Sequence, residues 1–92
     1  NPFNPVTNLR FELPANAQVE INVYDITGRL VETLIRSNYQ TGYHLVTWNA
    51  NQFASGIYFI NMHAITDISS GSENTKSETR TFNKTQKIML VK

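Results

Sequence analysis

Two histidines, His44 and His63, are the first residues to weigh for chemistry. A zinc centre needs three or four nitrogen, sulfur or oxygen ligands converging on one point. No third ligand accompanies this pair. Both are expected to be structural or surface histidines, His44 on a strand face with Val46 and Trp48, His63 on the face opposite Met62. Asp67, Glu73 and Glu78 cluster in sequence, but a calcium loop needs six to eight shaped oxygens; their spacing reads as a solvated polar loop. Asp25, just before Thr27 and Gly28, is placed to accept hydrogen bonds from its own turn backbone. Paired carboxylates for glycoside hydrolysis would need a cleft that so small a chain seldom supplies. There is no Gly-x-Ser-x-Gly, no phosphate loop and no cysteine. The chain reads as a non-enzyme, with no cofactor and no metal.

Aromatic residues offer a different chemistry. Tyr24, Tyr39, Tyr43, Trp48, Tyr58 and Phe59 could stack on sugar rings if they formed an exposed row. Aromatic side chains also dominate small cores by area, and the favoured reading puts Trp48 and Tyr58 inside and the others at edges and turns. Asn83-Lys84-Thr85 fits a glycosylation sequon and is read as incidental.

The elements that must position these residues are strands. In Thr7 to Leu13, Leu9, Phe11 and Leu13 alternate with Asn8, Arg10 and Glu12, the period of a half-buried strand. Val19, Ile21 and Val23 repeat the pattern after Pro14-Ala15-Asn16-Ala17 breaks it. Leu30, Val31, Leu34 and Ile35 fit helical spacing as well as strand spacing; the short length and the turn before them favour a strand over Arg29 to Ile35. Tyr43 to Trp48 and Ile57 to Ala64 follow, and Thr81 to Lys92 closes the chain. Gly28, Gly42 and Gly56 are expected to set turns. Asp67 to Ser77, nearly devoid of apolar side chains, reads as a long mobile hairpin loop. These signals predict an all-β fold, an immunoglobulin-like antiparallel β-sandwich of about seven strands. Its expected core is Leu9, Phe11, Val19, Ile21, Val23, Val46, Trp48, Tyr58 and Ile60.

Pro2 and Pro5 forbid a helix at the start, so residues 1–6 read as a semi-rigid linker and residues 7–92 as the domain. Phe3 is large enough to plug the rim of the core. The chain starts at Asn1, not Met, with no visible signal peptide, and reads as a fragment from the end of a longer protein. Its 92 residues make one domain with a thin core. At 40% hydrophobic and 16% charged residues, it is too apolar for a disordered tail and too polar for a membrane segment. A net charge of +1 gives no bulk attraction to nucleic acid or an anionic membrane. The lack of cysteine rules out disulfides and thiol chemistry.

Five stretches together resemble the type IX secretion system C-terminal sorting domain, type A. Asn1-Pro2-Phe3-Asn4-Pro5 is similar to that family's Pro-Asn-Pro-Phe-Asn-Pro opening. Val23 to Val31 resembles its Val-Tyr-Asp-hydrophobic-x-Gly-Arg stretch, and Gly42 to Asn49 its Gly-x-His-x-Val-x-Trp-Asp/Asn strand. Ala54-Ser55-Gly56-Ile57-Tyr58-Phe59 matches its Ser-Gly-hydrophobic-Tyr step. Lys87-Ile88-Met89-Leu90-Val91-Lys92 looks like its terminal lysine-bracketed apolar run. Many relatives turn in a few residues where this chain has Asp67 to Ser77.

The resemblance implies a domain at the extreme C-terminus of a cargo protein that crosses the inner membrane by a signal peptide. An outer-membrane translocon would recognise the folded domain in the periplasm, and a sortase-like protease would then remove it. The cargo would be secreted or held at the cell surface. It implies no nucleic-acid partner and no direct membrane insertion. Lys87, Ile88, Met89, Leu90, Val91 and Lys92 would be read by the translocon. The alternation of that segment, with Ile88 and Leu90 on one face and Met89 and Val91 on the other, also suits a strand central to a sheet. Its lysines would be polar contacts and guards against aggregation. Two rival readings stand beside this one: a carbohydrate-binding module, and a structural immunoglobulin-like spacer of a secreted multidomain enzyme.

Overall fold

A computed structural model of the chain describes residues 6–68 and 78–91. Six strands run in order: β1 (Val6–Leu13), β2 (Ala17–Asp25), β3 (Leu30–Tyr39), β4 (Gly42–Asn49), β5 (Gly56–Ile68) and β6 (Glu78–Leu90). There is no helix among the described residues. Every pairing is antiparallel. β1 and β4 form a two-stranded sheet, and the other four form a sheet in the order β3-β2-β5-β6.

The two sheets enclose one core because each strand turns alternate apolar side chains inward. Leu9, Phe11 and Leu13 from β1 and Val46 and Trp48 from β4 meet Val19, Ile21 and Val23 from β2 and Tyr58, Ile60 and Ala64 from β5. All nine residues expected in the core are buried. Among the described residues no buried side-chain nitrogen or oxygen lacks a partner, as a sandwich this thin requires.

The expected antiparallel β-sandwich is what the chain forms, with six strands among the described residues. Two expectations are corrected. β5 and β6 each run for 13 residues. β5 does not stop at Ala64, nor does the polar stretch begin as a loop at Asp67: Asp67 pairs with Thr79 and Ile68 with Glu78. The remainder of that expected loop lies outside the described residues, as do Phe3 and Lys92. Finally, β6 is not central. Among the described residues it pairs with β5 alone and forms an edge of the four-stranded sheet.

The ambiguous spacing in β3 has a geometric cause. Its register against β2 shifts twice, between Ile21 and Asn22 and between Val23 and Tyr24. Each shift inserts one residue and moves following side chains to the other face. Val31, Leu34 and Ile35 therefore all pack on the core although no period-2 rule joins them.

Candidate recognition surface

The hairpin turn between β2 and β3 is built from Asp25. Its Oδ1 accepts from the Thr27 backbone N–H at 2.9 Å, the Thr27 hydroxyl at 2.6 Å and the Arg29 backbone N–H at 3.0 Å. Its backbone carbonyl accepts from the Gly28 N–H at 2.9 Å. Arg29 Nε lies 3.4 Å from Oδ2. The Thr27 hydroxyl, followed by the Arg29 and Thr27 amides and the Arg29 charge, holds the Asp25 carboxyl below its ordinary range. Oδ1 is thus engaged by its own turn and Oδ2 faces the Arg29 side chain, which makes this carboxylate a structural part. Gly28 closes the turn at φ 88° and Gly42 opens β4 at φ 123°, both in territory that side chains avoid. Gly56 begins β5 directly opposite Leu90.

Trp48 anchors the same end of the sandwich, since Asp25 pairs with Tyr58 and Trp48 packs on Tyr58. It is fully buried, its ring 5.5 Å from Tyr58 and 5.7 Å from Phe53. The Tyr58 hydroxyl donates to the Ala54 carbonyl at 2.7 Å. His44 stacks beside Phe11 and Tyr39, with ring centroids at 5.3 and 4.9 Å, and its Nε2 lies 2.7 Å from the Gln40 carbonyl. His63 stands on the outer face of β5 in register with Asn83. No group of three metal-ligating side chains exists among the described residues. The side chains of Asp67, Glu73 and Glu78 lie outside them.

The six aromatics form no stacking row. Trp48 and Tyr58 are buried, and Tyr39 packs on Phe11 and His44. Tyr43 is 83% exposed, but on β4, in the other sheet from Tyr24 and Phe59, which pair with each other. A row able to bind a glycan chain is therefore not assembled.

The last strand divides its side chains by role. Leu90 is buried and Ile88 packs against the core, while Lys87, Met89 (67% exposed) and Val91 (60%) face solvent. In register, Met89 lies opposite Ile57 and Lys87 opposite Phe59, so an apolar patch with one cation lies on the outer face. A signal missed by reading Lys87 to Lys92 alone is the charge of the strand before it. From Arg80 to Leu90, β6 carries Arg80, Lys84 and Lys87 and no carboxylate, on an edge whose outer backbone side has no strand partner among the described residues. Thr85, of the sequon, is held by Asn61, whose Nδ2 donates to its Oγ1 at 2.9 Å.

The family model of the secretion system C-terminal sorting domain matches residues 1–90. The chain belongs to that family. This sorting domain is an all-β member with two antiparallel sheets, and the family is one of signals for type IX secretion, not of catalysts. Its cargo is a secreted or cell-surface protein. No curated protein and no solved structure matches the chain.

Proposed function

We propose that this sorting domain is a non-catalytic export signal that the outer-membrane translocon of the type IX system reads at β6. Residues 1–6 lead in from an upstream cargo, with Val6 already paired to Asn49 at the start of β1, and residues 7–92 act as the signal. After passage, a sortase-like protease separates the two, and the cargo is released or anchored at the cell surface. The observation that carries this reading is the division of labour in the last strand. Leu90 and Ile88 hold the strand to the core, which leaves Lys87, Met89 and Val91, together with a free backbone edge, available to a partner. A free edge can extend a partner's sheet, with side chains supplying selectivity. Lys92 continues the same address beyond the described residues.

The test is a secretion assay. Residues 1–92 are fused behind a signal peptide and a fluorescent protein in a host with an intact type IX system, beside a copy lacking Lys87 to Lys92. Surface or medium fluorescence that needs both the system and the last six residues is the expected result. Retention of both folded fusions in the periplasm overturns the reading.

A further inference from the structure

The side of the sandwich between β3 and β4 holds a hollow that the export reading leaves unused. Val31 and Glu32 of β3 line it on one side. Asn49, Asn51, Gln52 and Phe53, where the chain leaves β4 for β5, line it on the other. Its volume of about 470 Å³ falls within that of small-molecule sites. Glu32 gives its Oε1 to the Trp48 indole at 3.0 Å, and no bond occupies its Oε2 among the described residues. Asn49 Oδ1 accepts from the Asn51 backbone N–H at 3.0 Å, which fixes the loop and leaves Asn49 Nδ2 without a partner among the described residues. The exposed Gln52 amide has no partner among them either. The Phe53 ring rests on Trp48 and Tyr58, with centroids at 5.7 and 6.2 Å, and stays half-open at the hollow.

We infer that this hollow binds one neutral hexose unit, free or at the end of a glycan chain. Side-chain amides carry both a donor and an acceptor, as each sugar hydroxyl does. Asn49, Asn51 and Gln52 bring three of them to one place. Glu32 Oε2 adds a charged acceptor, and its bond to Trp48 holds that carboxylate in position before a ligand arrives. The Phe53 ring offers an apolar surface to the C–H face of a pyranose. It stands outside the six aromatics that form no stacking row, and one ring suits one unit rather than a chain. Charge narrows the ligand further. No lysine or arginine lines the hollow among the described residues, so Glu32 disfavours phosphates and uronates. An acyl chain would meet mostly polar walls, and one carboxylate with amides is a poor metal site, in keeping with the lack of any three-ligand group among the described residues. Binding here leaves β6 open, since β3 and β6 are opposite edges of the larger sheet.

The test titrates the isotope-labelled 92-residue chain with the methyl glycosides of glucose, galactose and mannose, each beside its uronate. The expected result is saturable binding of at least one neutral glycoside, with a Kd of about 10 mM or tighter. Shifts should centre on the amides of residues 31–32 and 49–53 and on the side-chain amides of Asn49 and Gln52. The matching uronate should bind about fivefold more weakly or worse, and Glu32→Gln should shrink that difference. Gln52→Ala, at an exposed position, should weaken the neutral sugar about threefold. Phe53→Leu, which keeps apolar bulk and removes the ring, should weaken it by about as much or more. The comparison of neutral sugar with uronate on the unaltered chain decides the matter even if a variant folds badly. Binding of a trisaccharide of the same sugar assigns the site to chain ends, and its exclusion assigns it to the free sugar. No saturable shift up to about 100 mM, shifts centred elsewhere, or a uronate bound as tightly as its neutral sugar overturns the inference. So does tighter binding of a blocked lysine, which would make Glu32 a simple ion-pair partner.

Discussion

The Trp48 indole Nε1 donates to the Glu32 carboxylate at 3.0 Å, and this bond joins the two sheets across the sandwich. Trp48 stands on β4 in the smaller sheet and Glu32 on β3 at the edge of the larger one. The ring itself is fully buried, so its one polar hydrogen must find a partner inside the protein. Half-buried Glu32 supplies that partner while keeping contact with solvent.

Removing the acceptor should therefore cost more than an exposed glutamate normally would. Glu32→Ala leaves a buried N–H unpaired and is expected to destabilise the domain by about 1–3 kcal/mol. Glu32→Gln keeps an acceptor oxygen and should cost less. Trp48→Ala empties the centre of the core and should cost about 3–5 kcal/mol, a large fraction of the stability of a domain this small. Urea unfolding followed by circular dichroism measures all three; an Ala variant at Glu32 as stable as the Gln variant would refute the role of the bond.

The Asp25 turn predicts an acid-side dependence. The carboxyl is held below its ordinary value chiefly by the Thr27 hydroxyl. A carboxyl depressed in the folded state stabilises the fold at pH values above its unfolded pKa, about 3.9. That contribution is lost as pH falls through the lower folded value. Thermal midpoints of the native chain should thus fall between neutral and strongly acidic pH. Asp25→Asn should lower the neutral midpoint and reduce the slope. A variant with the native slope would place the acid sensitivity elsewhere.

Gly28 and Gly42 separate backbone strain from crowding. A Cβ at either position would meet nothing within 4 Å, so any loss on substitution comes from φ values of 88° and 123°. Gly28→Ala lies nearer the left-handed helical region and should cost about 1–2 kcal/mol. Gly42→Ala lies outside it and should cost about as much or more, within the 1–3 kcal/mol typical of strained backbone. Denaturant midpoints order the two; a neutral Gly42→Ala would show that the backbone relaxes there.

Much of this architecture is legible in the residues themselves. β1, β2 and β4 alternate cleanly because each has one face in the core and one in water, as in Leu9, Asn8 and Phe11. β3 is harder, since its two register shifts against β2 put Val31, Leu34 and Ile35 on the core without a fixed period. The position of β6 is not encoded in its own alternation: Ile88, Met89, Leu90 and Val91 would read the same in a central strand. Edge placement follows from pairing to β5 alone. The Glu32 partner of Trp48 is likewise invisible to local pattern, because 16 residues and a change of sheet separate the two. The Asp25 turn was readable because all its partners lie within four residues.

The same edge placement yields a prediction that separates folding from recognition in the last strand. Leu90 is 6% exposed and its neighbour Met89 67%. Leu90→Ala removes buried apolar volume and should destabilise the domain by about 2–5 kcal/mol. Met89→Ala and Lys87→Ala touch only solvent-facing positions and should change stability by less than about 0.5 kcal/mol. If the outer side of β6 is the address, these two variants should nevertheless reduce export of a fused fluorescent cargo, while unfolding curves remain native. Leu90→Ala should reduce export only in proportion to the fraction unfolded. Export that tracks stability across all three variants would mean that the signal is the folded sandwich as a whole, with no separate contribution from the side chains its last strand shows to solvent.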